Sequence, residues 1–274
     1  MQSSGRKRRA SFYLLAGFFC AFVLFLYAPM IAVFVLSFQG PAGGMTFPLR
    51  GASTYWFSDL VTSSRYGDLG GAFWRSLALA GASTVLTAVI CFFAGLAFRR
   101  RFPGSGIVFY LVILSLVVPG LLLSFGIGEM FQLLGLPLHW LVSGLGAHLS
   151  WTLPFGLLIM FAVLSRFDGA WEEAARDAGA SAAQILLYVT LPILFPGLIA
   201  VALFGFTLSY DEFPRSLLTL GASNSLPIEI ANMTSSVTTP ALYAIGSLTT
   251  ALSLAVIVGA FAGISVIRRH REAS

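Results

Sequence analysis

Six stretches of this chain run for at least twenty residues without a single Lys, Arg, Asp or Glu, and they decide what it can fold into. They cover residues 12–37, 76–98, 107–127, 145–164, 185–208 and 243–267. About 20 apolar residues in a helix cross the hydrocarbon of a bilayer. A helix also satisfies its own backbone hydrogen bonds, which no open strand can do in lipid. Soluble domains carry about 25% charged residues; this chain has 10%, with 57% apolar residues. The expected fold class is therefore all-α integral membrane, with six transmembrane helices. Residues 133–140 and 223–239 are too polar or broken to cross and read as outer connections with short interfacial helices.

Cationic residues orient the spans. Placing the N-terminus in the cytoplasm gives the inner segments Arg6, Lys7, Arg8, Arg9, Arg99, Arg100, Arg101, Arg166, Arg176, Arg268, Arg269 and Arg271, which are 12 of the 16 Lys and Arg. The outer segments hold Arg50, Arg65, Arg75 and Arg215. The positive-inside rule then puts both termini in the cytoplasm. A signal-peptide core spans about 7 to 15 residues; the first apolar run is far longer and continues through Pro29, so it is expected to remain as a span. The net charge of +5 is a topology signal, since a nucleic-acid surface needs a clustered basic face. Cys20 and Cys91 fall inside spans, as packed apolar residues. His139, His148 and His270 have no metal-ligand spacing; the first two read as interfacial polar residues.

Between the fourth and fifth spans the chain reads RFDGAWEEAARDAGASAAQ, from Arg166 to Gln184. Trp171, Ala174, Ala175, Ala178, Ala182 and Ile185 recur at helical spacing. Asp168 is a candidate N-cap, and Glu172 and Glu173 suit the positive end of the helix dipole. Glu172 and Arg176 stand four apart. Gly179 can take the left-handed conformation that ends a helix, and Ser181 with Gln184 forms the capping box that starts another. Pro192 and Pro196 remove backbone donors early in the fifth span and are expected to kink it. The product is a helix, turn and helix whose small apolar stripe admits close approach of another protein.

At these residues the sequence resembles the EAA loop of binding-protein-dependent ABC importer permeases. That loop reads Glu-Ala-Ala, three residues, Gly, nine residues, Ile, one residue, Leu-Pro; here Glu173, Ala174, Ala175, Gly179, Leu191 and Pro192 match, and Val189 replaces the Ile. The resemblance implies the type I ABC importer permease fold for residues 12–267, with a coupling loop at 166–184, between short cytoplasmic segments at 1–11 and 268–274. It also implies partners: two copies of an ATP-binding cassette ATPase, a second, heterologous permease subunit, a periplasmic substrate-binding protein and the bilayer of a bacterial inner membrane. Glu172, Glu173, Ala174, Ala175, Asp177, Gly179 and Ala180 are the expected ATPase contacts. No cofactor is expected on this chain, since ATP and Mg belong to the ATPase; its one lysine, Lys7, follows no glycine-rich loop of the phosphate-binding type.

Substrate signals are acidic and aromatic. Asp59, Asp68, Glu129, Asp211, Glu212 and Glu229 fall on the outer side with Tyr55, Trp56, Trp140, Trp151 and Tyr210, a combination suited to an organic cation. Asp211 and Glu212 are costly to ionise at a membrane edge without a cation nearby. FTLSYDEF, residues 206–213, resembles the S-x-D-[DE] stretch of the C-type spermidine/putrescine permeases, although Tyr210 and Glu212 depart from its commonest form. The expected pathway residues are Tyr210, Asp211, Glu212, Glu129 and Trp151, and the expected solute is a polyamine, with opines, phosphonates, thiamine or ferric iron as alternatives of the same architecture. A secondary transporter usually carries an ionisable group near mid-membrane, which these runs lack. An enzyme needs a nucleophile with its base or a metal triad, and neither occurs at workable spacing.

Overall fold

The computed structural model describes residues 10–100 and 102–273. Arg6, Lys7, Arg8, Arg9 and Arg101 lie outside these residues, as do the side chains of Arg268, Arg269, His270 and Arg271. The helices are α1 (Ala10–Leu36), α2 (Tyr55–Thr62), α3 (Leu69–Phe98), α4 (Ser105–Val117), α5 (Gly120–Leu133), α6 (Leu145–Leu164), α7 (Ala170–Asp177), α8 (Ala182–Ile185), α9 (Leu191–Tyr210), α10 (Leu226–Ser236) and α11 (Ala241–Ala273). Among the described residues, five helical runs are long and apolar enough to cross a membrane, and six if α4 and α5 count as one.

That pair refines the reading of residues 107–127 as one span. The chain bends by 110° between α4 and α5. Pro119 explains the site of the break: it has no N–H to donate and pushes the residue before it out of the helical region. Val118 is accordingly extended, with φ −70 and ψ 123. At 13 and 14 residues, each half is about 20 Å long, short of the roughly 30 Å hydrocarbon layer. The fourth span also starts earlier than expected, because a π-helical turn over Trp140–Gly144 runs into α6. The fifth begins at Ala182 and reaches Tyr210 as one run, with a π turn at Leu186–Thr190 immediately before Pro192. Residues 223–239 do hold a short helix, α10.

The chain forms two compact units, residues 10–65 with 233–251 and residues 66–232 with 252–273. In the first, α1 is apolar on every side and almost wholly exposed, as a lipid-facing or subunit-facing helix must be. The fully buried Gln39 closes the loop after it, accepting from the Arg50 N–H and donating to the carbonyls of Gly44 and Thr46.

In the second unit α3, α6 and α9 pack on one another. Phe92, Met160, Leu164 and Leu194 form one core cluster, and Cys91, Leu157 and Val201 another. Gly156 lies where a side chain would strike Cys91 and Thr87, and Gly197 where one would strike Val163. Small residues of this kind let membrane helices approach closely. Beyond the second cluster, Thr87 of α3 and Thr152 of α6 share a hydrogen bond of 2.7 Å, with Ser83 at 3.4 Å from Thr152.

Candidate functional site

Two groups of residues sit at opposite ends of α9. At its start, α7 and α8 form a tight reverse turn built from local bonds. Gly179 has φ +84, and the N–H groups of Gly179 and Ala180 donate to the carbonyls of Arg176 and Ala175, which closes α7 with a Schellman motif. Ser181 and Gln184 then make both bonds of the capping box, at 2.8 and 3.4 Å. Asp168 acts one residue earlier than expected: Gly169 holds the cap position, and the Asp168 carboxylate accepts from the Ala170 N–H.

Glu172 does not serve an intrahelical pair with Arg176. It takes two hydrogen bonds from Arg99 at the end of α3, at 2.8 and 3.0 Å, and one from the Thr190 hydroxyl at 2.8 Å. The Arg99 bonds hold its carboxyl below the ordinary value, and Thr190 adds to the effect against a smaller opposing cost of burial. Arg99, counted in the sequence only among the residues that orient the spans, also lies over the Phe167 ring at 4.8 Å. Phe167 and Leu186 pack on the core cluster around Leu194. The turn is thereby tied to α3 and to the start of α9. Its other side is open: Trp171 is 62% exposed, Glu173, Ala174, Asp177 and Gly179 are exposed, and Ala175 and Ala180 are half-buried.

At the other end of α9, the residues read as a solute pathway divide. Glu212 and Trp151 are brought together, but by a cation of this chain. Arg215 lies at 3.5 Å from the Glu212 carboxylate, which also accepts from the Arg215 N–H at 2.9 Å. The same guanidinium lies over the Trp151 ring at 4.2 Å. Glu212 and Arg215 are 7% and 4% exposed. Gly120, the first residue after the proline break, gives Arg215 room; a side chain there would meet its guanidinium and Pro214.

Tyr210 is buried with its hydroxyl unpartnered, and its ring stacks on Phe206. Asp211 is exposed beside it. Glu129 stands apart from this group, on a cavity of about 400 Å³ shared with Gln132, Phe125 and Leu218. His148 is not interfacial: it is 1% exposed and bridges Ser209 at 2.7 Å and Ser216 at 2.9 Å.

Other acids read as cation-attracting also have partners. Asp68 caps α3 through the Gly71 N–H and pairs with Arg75 at 3.0 Å, and these two bonds lower its pKa. Asp59 faces Arg65 at 3.8 Å, and Glu229 accepts from Asn224. Arg99, Thr190, Arg215 and His148 are the residues that sequence reasoning missed. Their signal was the pairing rule itself, which asks every membrane-edge charge for a partner.

No family model matches the chain. Over 245 residues it is 31% identical to the spermidine/putrescine transport system permease protein PotC of Escherichia coli K12, covering 88% of this chain and 90% of that protein. The chain belongs to the PotC family of ABC importer permeases. The putrescine transport system permease protein PotI of the same strain is 26% identical to this permease over 256 residues, covering 90% of this chain and 89% of the other. In fold it resembles a chain in the crystal structure of a bacterial alginate ABC transporter in complex with alginate pentasaccharide-bound periplasmic protein, with a TM-score of 0.64 at 16% identity over 94% of this permease and 93% of that chain. The permease is therefore an all-helical, multi-pass protein of the inner membrane.

Proposed function

We propose that this permease forms half of the pore of an ATP-driven importer and that α7 is the handle by which two ATPase subunits, which bind the ATP and Mg, move it. A second permease subunit completes the pore, a periplasmic binding protein delivers the solute, and both chain termini lie in the cytoplasm. The observation that carries this reading is the anchoring of Glu172. A force on the exposed Ala174 side of α7 reaches Arg99 on α3 and Thr190 at the head of α9 through hydrogen-bonded contacts. These helices are two of the three in the core. ATPase closure then shifts their inner ends together and biases the bundle toward its outward-open state. Glu173→Lys or Gly179→Pro is expected to leave membrane insertion intact while uptake is lost and ATP hydrolysis continues uncoupled. Normal coupled uptake by both variants defeats the proposal.

The solute we propose is a polyamine such as spermidine or putrescine. PotC and PotI, its relatives across almost the whole chain, carry those solutes in their names, and the exposed Asp211 and Glu129 keep carboxylates free for ammonium groups. Arg215 favours a second reading. It neutralises Glu212 and takes the Trp151 face, which leaves the outer end less anionic than the sequence alone suggests and admits a zwitterion, such as an opine, as well as a bare cation. Ligand screening of the cognate binding protein separates them. Binding of spermidine or putrescine supports the first; binding of an amino-acid-like zwitterion with no polyamine affinity supports the second.

A further inference from the structure

Beside α7 lies a cavity of about 390 Å³ whose lining is part apolar and part cationic. Leu96 from the last turn of α3 and Ile185 from α8 make an apolar wall. Arg99, Arg100 and Arg176 line the same cavity, with the single carboxylate of Glu172. Arg99 gives both its terminal nitrogens to Glu172. The side chains of Arg100 and Arg176 are exposed and make no hydrogen bond or ion pair among the described residues, Arg176 exerting only a weak pull on the Glu172 carboxylate.

Unpaired guanidinium groups with planar donor forks suit phosphate oxygens. The apolar part of the lining selects further, because a free anion gains nothing from it, whereas an amphiphile uses both kinds of lining at once. The location agrees, since Phe98 ends the spanning helix α3 and Arg99 and Arg100 follow it directly. Basic pockets at this level, between spanning helices, hold acidic lipid head groups. The ATPase is a poorer occupant. Glu172 and Arg176 share one side of α7, while Ala174 and Ala178 lie about 200° around it at 3.6 residues per turn, so the cavity and the open alanine side face different ways.

We propose that this cavity binds the head group of an anionic phospholipid, with its phosphate on Arg100 and Arg176 and the first acyl carbons against Leu96 and Ile185. The lipid bridges α7 to the end of α3 in parallel with the Glu172–Arg99 pair and stiffens the handle. This proposal concerns a lipid and stands whatever solute the permease carries.

The test is native mass spectrometry of the full-length permease, purified with its partner subunits in mild detergent and titrated with phosphatidylglycerol, phosphatidylcholine or inorganic phosphate. Wild type is expected to retain one more phosphatidylglycerol than R100Q/R176Q, with affinity at that site weakened about tenfold or more by loss of two charges near the membrane surface. R166Q, which removes an exposed charge of the same loop outside the cavity, is expected to match wild type. Both arginines of the double variant are exposed and unpaired, so folding is not at stake. Undiminished phosphatidylglycerol in R100Q/R176Q, an equal loss in R166Q, equal retention of phosphatidylcholine, or its displacement by inorganic phosphate would overturn the proposal.

Discussion

The two ends of α9 solve the same problem in opposite ways. Before α9, the α7–α8 turn settles its polar groups with bonds between near neighbours and leaves one side open to a partner. After α9, Glu212 and Arg215 are buried together, and His148 reaches hydroxyls 61 and 68 residues away in sequence. The first region is a locally bonded turn, which suits the docking role proposed for it. The second holds its charges inside and depends on the packing of α6 around them.

The largest effect that sharpens this contrast is expected at Arg215. Arg215→Ala leaves the Glu212 carboxylate buried and unpaired, and loss of one partner of such a pair costs about 3–5 kcal/mol. Unfolding in detergent by heat or denaturant should show it, and E212Q/R215M should recover a large share of the loss. If Arg215→Ala unfolds like wild type, the cluster is wetter than its exposure indicates. In the bundle, Thr152→Val strands the Thr87 hydroxyl in the core, at about 1–3 kcal/mol, measured the same way.

Gly179→Ala tests the other region. A left-handed residue with a Cβ costs about 1–2 kcal/mol, and this cost should appear as faster hydrogen exchange in α7 and α8 with the global transition unmoved. A fall in global stability instead would mean that the turn is part of the core.

The smallest effect is expected at Glu172. Its pair with Arg99 is partly exposed, so Glu172→Gln should cost no more than about 1 kcal/mol. Because the folded carboxyl titrates below its ordinary value, its contribution is complete at neutral pH, persists above the ordinary carboxylate range and is lost as pH falls through the lowered value. A spin label on α7 should therefore gain mobility only in acid, and in Glu172→Gln this acid response should vanish.

What was legible in the sequence follows the same division. The α7–α8 turn could be read residue by residue, because Gly179, Ser181 and Gln184 act within a few positions of one another. The spans were legible because lipid tests composition alone. Pro119 marked a possible bend, but its size was not legible, since a proline in an apolar run is compatible with a kinked span as well as a broken one. The Glu172–Arg99 pair joins positions 73 apart in sequence, and nothing local marks Arg99 as its partner rather than Arg176. Trp151 and Glu212 were named as groups suited to a cationic solute, and that Arg215 occupies them instead depends on how α6 packs beside the loop after α9.

The most direct measurement is of the sidedness and cover of α7. In a background with Cys20 replaced and the buried Cys91 retained, Ala174→Cys should resist a membrane-impermeant thiol reagent added to intact spheroplasts. It should react in inside-out vesicles stripped of the ATPase and be protected when the ATPase is restored. Labelling from the outside, or reaction in stripped vesicles that the ATPase does not alter, would contradict the role assigned to this helix.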